Sequence, residues 1–207
     1  MERYDLVVIG GGPSGYAAAI RGIDFKKKVC LIERAKIGGA GLYNGALSSK
    51  TLWELATKVA SVNELIKAKG KEKFYLDWKE VQSVLKEAIF DRKFQYSCHI
   101  KLLQEETMHN LLTYERGSAS FVNEHEILIE NKGEEKRIHA ENVVIATGSK
   151  PRELPDIKVD NENILTSDSV EKIDDFPKSI VIVGAGVIGC EYATIFSNFG
   201  KTKVHLI

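Results

Sequence analysis

Cysteine is scarce and scattered in this chain. Three occur in 207 residues, at positions 30, 98 and 190. None forms a C-x-x-C pair or has metal-ligand spacing, which excludes a thioredoxin-like redox pair, a zinc-ribbon site and a disulfide framework. Cys30 and Cys190 fall in apolar stretches and are expected to be buried thiols. Cys98 precedes His99, but adjacent residues on a helix point apart, so the two are not read as a catalytic pair. Long apolar runs are missing too: none approaches the ~20 residues of a membrane span. There is no excess charge of either sign, since 29 Lys and Arg oppose 29 Asp and Glu. No global field draws the chain to nucleic acid or a membrane, and neither is an expected partner. The lysines at 26–28 and between 67 and 73 read as solvated loop faces. A strand pattern starts within a few residues of Met1, so no leader is expected, and the expected setting is a reducing cytoplasm.

Glycine, by contrast, is concentrated where it carries chemistry. Leu6-Val7-Val8-Ile9 runs straight into Gly10-Gly11-Gly12-Pro13-Ser14-Gly15, followed by the helical stretch Tyr16-Ala17-Ala18-Ala19-Ile20. Gly10, Gly12 and Gly15 fit G-x-G-x-x-G. In that pattern the first glycine allows a tight turn, the second lets backbone N–H groups approach a pyrophosphate, and the third lets helix and strand pack closely. The helix N-terminus adds partial positive charge and unpaired N–H donors, and Pro13 costs little at the first helical position. A second strand, Val29-Cys30-Leu31-Ile32, ends in Glu33, 23 residues after Gly10, where the motif places an acid for the ribose hydroxyls. The motif returns at Ile180-Val181-Ile182-Val183-Gly184-Ala185-Gly186-Val187-Ile188-Gly189, with a helix from Cys190 to Phe199 and a strand Val204-His205-Leu206-Ile207. The sequence stops before the next residues, where NAD and NADP are told apart, so that preference is unreadable.

Between the two motifs the apolar period changes. Residues 34–50 form a glycine-rich bridge. Thr51 to Ile66 and Asp77 to about His109 have helical spacing and make a hairpin, with Asp77 and Glu80 as a capping box. Short alternating strands follow at Leu111–Glu115, Ser118–Val122, Glu126–Glu130 and Lys136–His139. A separate buried strand, Val143-Val144-Ile145-Ala146, then ends in the turn Thr147-Gly148. Pro151, Pro155 and a polar run read as a link. The expected division is a first domain at 1–150, a connection at 151–178 and the start of a second nucleotide-binding domain at 179–207.

Two dinucleotide motifs 174 residues apart, with Ala146-Thr147-Gly148 between them, resemble the two-dinucleotide flavoproteins. The stretch Gly38-Gly39-Ala40-Gly41-Leu42-Tyr43-Asn44-Gly45-Ala46-Leu47-Ser48-Ser49-Lys50 resembles the redox-disulfide segment of the flavoprotein disulfide reductases, such as dihydrolipoamide dehydrogenase: G-G-T-C-x-x-x-G-C-x-P-S-K. Both cysteine positions are lost, to Gly41 and Ala46, and Ala40 and Ser48 replace the Thr and Pro. A dithiol shuttle needs two thiols within bonding reach, and this segment has none. One branch of the family, the soluble pyridine nucleotide transhydrogenases, works without that disulfide. The runs Gly117 to His125 and Gly186 to Phe196 resemble that branch.

The resemblance implies an α/β fold: a Rossmann-like FAD-binding domain with helical-hairpin and β-meander insertions, plus the start of a Rossmann-like NAD(P)-binding domain. It implies FAD and NAD or NADP as cofactors, nicotinamide dinucleotides as partners, and a homodimer at full length. It assigns Gly10, Gly12, Ser14, Gly15, Glu33, Ser118, Ala119, Thr147 and Gly148 to FAD. Gly184, Gly186, Val187 and Gly189 go to the nicotinamide dinucleotide, with Val187 where some relatives carry a gating tyrosine. Lys50 and Glu191 are assigned as the catalytic ion pair beside the flavin. The implied activity is hydride transfer between NAD(P)H and FAD without a redox disulfide, of transhydrogenase type. A flavin oxidoreductase with a quinone or dye acceptor, and a non-catalytic nucleotide-binding protein, are the alternatives. Since the family's second flavin segment and interface domain have no counterpart here, the chain is expected to be a fragment of a longer protein.

Overall fold

Leu6–Ile9 and Val29–Ile32 are unbroken apolar runs, the pattern of strands covered on both faces. The computed structural model describes residues 1–43, 45–105, 111–152 and 154–207. It forms two compact units: Met1–Tyr43 with Asp91–Lys150, and Asn44–Phe90 with Pro151–Ile207. This division runs through the helical hairpin: residues 44–90, inside the expected 1–150 domain, fall in the second unit. The expected helix end near His109 lies outside the described residues, as do Asn44 of the bridge and Glu153 of the link.

In the first unit β1 (Glu2–Ile9), α1 (Pro13–Asp24) and β2 (Val29–Glu33) make a βαβ start. With β3 (Leu112–Arg116), β4 (Ser118–Asn123), β5 (Glu126–Asn131) and β6 (Glu134–Ile145) they build one sheet in the order β3-β2-β1-β6-β5-β4. The pairs β3–β2, β2–β1 and β1–β6 are parallel, whereas β6–β5 and β5–β4 are antiparallel. Alternate residues of the central strands face opposite layers. Val8, Val29 and Leu31 pack with Ala19 and Ile23 of α1 and with Ile100. Val7, Ile9, Cys30 and Ile32 pack against Ile127, Ile129, Ile138 and Ala140 of the meander.

The separate strands expected at 136–139 and 143–146 are one strand. β6 runs unbroken through Ala140-Glu141-Asn142: Ile138 and Ala140 are buried, Glu141 is exposed, and the Asn142 side chain donates to Asp5 O of β1 at 3.1 Å. It pairs antiparallel with β5 over its first half and parallel with β1 from Ile138 to Ile145. Nor is its C-terminal end fully buried: Val143 and Val144 are half-buried and Ile145 is exposed.

In the second unit α3 (Ala46–Ala68) and the first part of α4 (Trp78–Glu105) pack on α5 (Val187–Phe199), which joins β7 (Ser179–Ile182) to β8 (Lys203–Leu206) as a parallel βαβ. The core comprises Leu52, Ala56 and Val59 of α3, Trp78, Val81 and Leu85 of α4, and Tyr192, Ile195, Phe196 and Phe199 of α5. Trp78 is buried with its indole N–H donated to the Ile173 carbonyl at 2.5 Å, and its ring meets Phe176 edge-on at 4.8 Å. Burying Trp78 removes a large apolar surface while its one donor finds a partner, which is why the ring can sit at the centre.

Two local expectations are corrected here. The bridge at 34–50 is largely helical: α2 (Gly39–Tyr43) precedes α3, which starts at Ala46 and not at Thr51. Only half of the capping box forms, because Glu80 accepts the Asp77 N–H at 2.7 Å while the Asp77 carboxylate turns to Lys201 at 2.9 Å. Strands β7 and β8, whose apolar runs call for cover on both faces in an expected fragment, are covered on one face among the described residues, which does not contradict that expectation. Ile180, Ile182 and Val204 join the core, and Val181 and Val183 on the alternate face are exposed.

Candidate functional site: two glycine turns and an ion pair

In the first unit the glycine turn lies at the carboxyl ends of β1, β2 and β6. Gly10 has φ of +107°, and a Cβ there would lie 2.2 Å from the Ala146 carbonyl oxygen, so only glycine fits. Its N–H reaches Ile32 O at 2.8 Å, and Ala146 N reaches Ile9 O at 2.8 Å, which ties the turn to both neighbouring strands. Gly15 packs on it so closely that a Cβ would lie 1.8 Å from Gly10 O. Gly12 behaves differently. It is the N-cap of α1, with φ −71° and ψ −178°, and an added Cβ would meet nothing within 4 Å. The middle glycine therefore faces an open cradle at a helix N-terminus, the setting that accepts a pyrophosphate. Ser14 is exposed in the first turn of α1.

Glu33 closes β2 and is buried, with one carboxylate oxygen accepting Gly11 N–H at 2.7 Å and the other accepting Ala35 N–H at 2.7 Å. The same residue's carbonyl accepts Gly117 N–H at 3.1 Å, which brings Ser118 and Ala119, the start of β4, to the end of β2. Thr147 and Gly148 follow β6, the latter with φ +74°, and Thr147 N lies 3.1 Å from a Cβ built on Gly10. The structure thus gathers Gly10, Gly12, Gly15, Glu33, Ser118 and Thr147 at one end of one sheet.

Sequence reasoning missed the second wall of this turn. Gly38 donates its N–H to Gly11 O at 2.7 Å, a Cβ on Gly39 would lie 3.0 Å from Gly12 Cα, and one on Gly41 would lie 2.3 Å from Pro13 Cγ. Three near-consecutive glycines after β2 were the available signal: they mark close backbone approach, here of α2 to the first turn of α1.

The second unit repeats the geometry. Gly184 has φ +106°, Gly186 caps α5 with φ −77° and ψ −175° and faces open space, and a Cβ on Gly189 would lie 1.9 Å from Gly184 O. Val187, in the first turn, is 85% exposed. Cys190 is exposed, contrary to expectation, because α5 buries the stripe Tyr192, Ile195, Phe196 and Phe199 and residue 190 falls off it.

Lys50, near the start of α3, and Glu191, in the second turn of α5, form an ion pair with Nζ 2.5 Å from Oε1. The burial is one-sided: the Glu191 side chain is 15% exposed and that of Lys50 is 69% exposed. The lysine is therefore held from a protected carboxylate and is itself largely exposed. Tyr192, next to Glu191, donates its hydroxyl to Ser167 O at 3.3 Å, and burial pushes its phenol up to about 12. Among the described residues no His, Cys, Asp and Glu cluster could hold a metal ion, and no helix is long and apolar enough to cross a membrane.

Comparisons with known proteins agree with this geometry. A family model described as pyridine nucleotide-disulphide oxidoreductase matches residues 4–207. The chain is 36% identical over 205 residues to a dihydrolipoyl dehydrogenase of Bacillus subtilis, covering 95% of this chain and 42% of that protein. It is 31% identical over 211 residues to a soluble pyridine nucleotide transhydrogenase of Mycobacterium tuberculosis, covering 100% of this chain and 44% of that one. The family and these relatives use FAD and NAD(P). Among solved structures, a Cu(II) complex of a cysteine-to-serine variant of the HOCl-induced flavoprotein disulfide reductase RclA from Escherichia coli matches with a TM-score of 0.80. It is 24% identical and covers 100% of this chain and 42% of that one, which speaks for the fold alone. The chain spans well under half the length of the curated relatives it matches.

Proposed function

The chain belongs to the pyridine nucleotide-disulphide oxidoreductase family, and from that premise we propose that it is the nucleotide-binding portion of an FAD-dependent NAD(P) oxidoreductase that moves hydride without a redox disulfide, in the manner of a transhydrogenase. The observation that carries this reading is the pair of matching glycine turns, each with an open cradle at its middle glycine, combined with Gly41 and Ala46 in place of the redox thiols. FAD, when bound, supplies the hydride-accepting chemistry.

The chain's own residues supply binding and electrostatics. Unpaired N–H groups of the first turn of α1 suit a pyrophosphate above Gly12, and those of α5 suit one above Gly186. Glu33, fixed by Gly11 and Ala35, keeps lone pairs for ribose hydroxyls. Ser118 and Ala119 offer the backbone beside it. Lys50 is a positioned ammonium able to stabilise negative charge that develops as hydride is accepted, and Glu191 orients it. In this reading the protein is cytoplasmic, nicotinamide dinucleotides are its substrates, and the full-length form is a homodimer.

The test is reduction of thio-NAD by NADPH with purified full-length protein. Turnover through a flavin that bleaches with either nucleotide supports the transhydrogenase. Bleaching without thio-NAD reduction, but with quinone or dye reduction, gives the function to the other acceptor class. A protein without flavin that binds no added FAD refutes the enzyme reading.

A further inference from the structure

A groove of about 350 Å³ between α1 and the second part of α4 is lined by Tyr16, Arg92, Gln95, Tyr96 and His99. The four α4 residues stand at i, i+3, i+4 and i+7, a single helical stripe. On a helix packed against a core such a stripe is ordinarily apolar. Further along α4 that rule holds, since Ile100 and Leu103 join the cluster around Val8, Ala19 and Ile23. The stripe from Arg92 to His99 is instead solvent-facing, with Arg92, Gln95 and His99 exposed and Tyr96 half-buried.

Its hydrogen bonding leaves donors unused. The Tyr16 hydroxyl is bonded to His99 Nδ1. With burial raising the Tyr16 phenol, its hydroxyl is the donor to Nδ1, and Nε2 is the ring nitrogen without a partner among the described residues. Arg92 Nη1 donates to Gln95 Oε1 at 3.2 Å, so the unspent end of that amide is its NH₂ group. The acceptors Gln95 Oε1 and His99 Nδ1 are thus each taken by a neighbour, and no carboxylate lines the groove. Aromatic edges complete it: Tyr16 meets Tyr96 at 4.5 Å and 85°, and His99 at 5.8 Å and 62°.

Cationic and N–H donors beside an aromatic corner, in a volume suited to one or two fused rings, define a ligand class. We propose that this groove is a binding site for a small aromatic carboxylate, its carboxylate paired with the Arg92 guanidinium and its ring packed on Tyr16 and Tyr96. A dinucleotide is too large for it, and the site uses none of the motif glycines, so it stands independently of the hydride-transfer reading.

Calorimetric titration of the full-length protein with naphthoate tests the assignment, with naphthalenemethanol as the neutral counterpart. Saturable naphthoate binding is expected, weakened about tenfold or more in Arg92→Ala, in His99→Leu, and for the alcohol on wild-type protein, as for loss of a charge-assisted hydrogen bond. Both residues are exposed on a helix, and an unchanged circular dichroism spectrum confirms that the variants fold. Absence of saturable binding, equal affinity for the alcohol, wild-type affinity in both variants, or displacement of naphthoate by ADP would each overturn the proposal.

Discussion

Two alanines placed three residues apart in the same turn should act on different properties of the protein. At Gly15 an added Cβ would lie 1.8 Å from Gly10 O, and at Gly189 one would lie 1.9 Å from Gly184 O, while real Cβ contacts stay beyond 3.0 Å. The helix must therefore back away from its strand by over an ångström, breaking contacts in a close-packed layer. Overpacking of that kind costs ~1–3 kcal/mol, and the upper end applies because the obstacle is backbone. At Gly12 and Gly186 nothing lies within 4 Å, and φ of −71° and −77° suits any residue. Alanine there loses some N-cap preference but restricts the unfolded chain, two effects of ~0.5–1 kcal/mol that oppose each other. Stability should barely move. The methyl group instead fills the cradle and holds a phosphate off the N–H donors, for a loss of roughly tenfold to a hundredfold in affinity. Thermal melts, bound-flavin content and NAD(P)H titration of full-length variants separate the effects. Gly15→Ala and Gly189→Ala should lower the melting temperature by several degrees. Gly12→Ala should keep the melt and lose FAD, and Gly186→Ala should keep both melt and FAD but weaken NAD(P)H. If Gly12→Ala melted as low as Gly15→Ala, or bound FAD with native affinity, the open-cradle argument would be wrong.

Three further outcomes follow from other parts of the structure. Lys50→Ala should slow flavin reduction by ~10²-fold in rapid mixing, the lower range for losing one charge-stabilising donor, while flavin content stays near native; a native reduction rate would remove the ion pair from the mechanism. Burial raises the Cys30 thiol from its ordinary 9.0 to about 12, so above pH 9 the unfolded chain releases a proton that the folded chain keeps. Stability is thus present below pH 9 and lost as pH rises toward 12, at ~1.4 kcal/mol per pH unit for this group. Cys30→Ala should flatten that slope by one proton in urea melts, and parallel slopes would count against it. Restoring both cysteines, Gly41→Cys with Ala46→Cys, should not restore lipoamide reduction, because a Cβ at 41 would lie 2.3 Å from Pro13 Cγ; arsenite-sensitive reductase activity in that variant would contradict this.

The sequence was most informative where backbone demands are absolute. Gly10 and Gly184 take positive φ, Gly15 and Gly189 pack against carbonyls, and no other residue meets those conditions, so both turns were readable from letters alone. Strands β1 and β2 were equally plain, because both their faces are covered. Other features depend on partners that spacing does not reveal. The continuity of β6 was hidden by Glu141 and Asn142, polar residues that fit because one faces outward and the other donates to Asp5 O at 3.1 Å. Apolar surroundings misled for Cys190, since burial follows the register of α5 and not local composition. The Lys50–Glu191 contact joins residues 141 positions apart, and only the resemblance to a family pointed to it.

The central claim is hydride transfer without a dithiol, and anaerobic reductive titration of the full-length flavoprotein with NADH measures it most directly. The absence of thiols at 41 and 46 predicts that one equivalent of NADH per flavin bleaches the flavin completely, in a single phase that arsenite does not alter. Uptake of two equivalents per flavin, through an arsenite-sensitive half-reduced stage, would show a second redox pair and contradict the account.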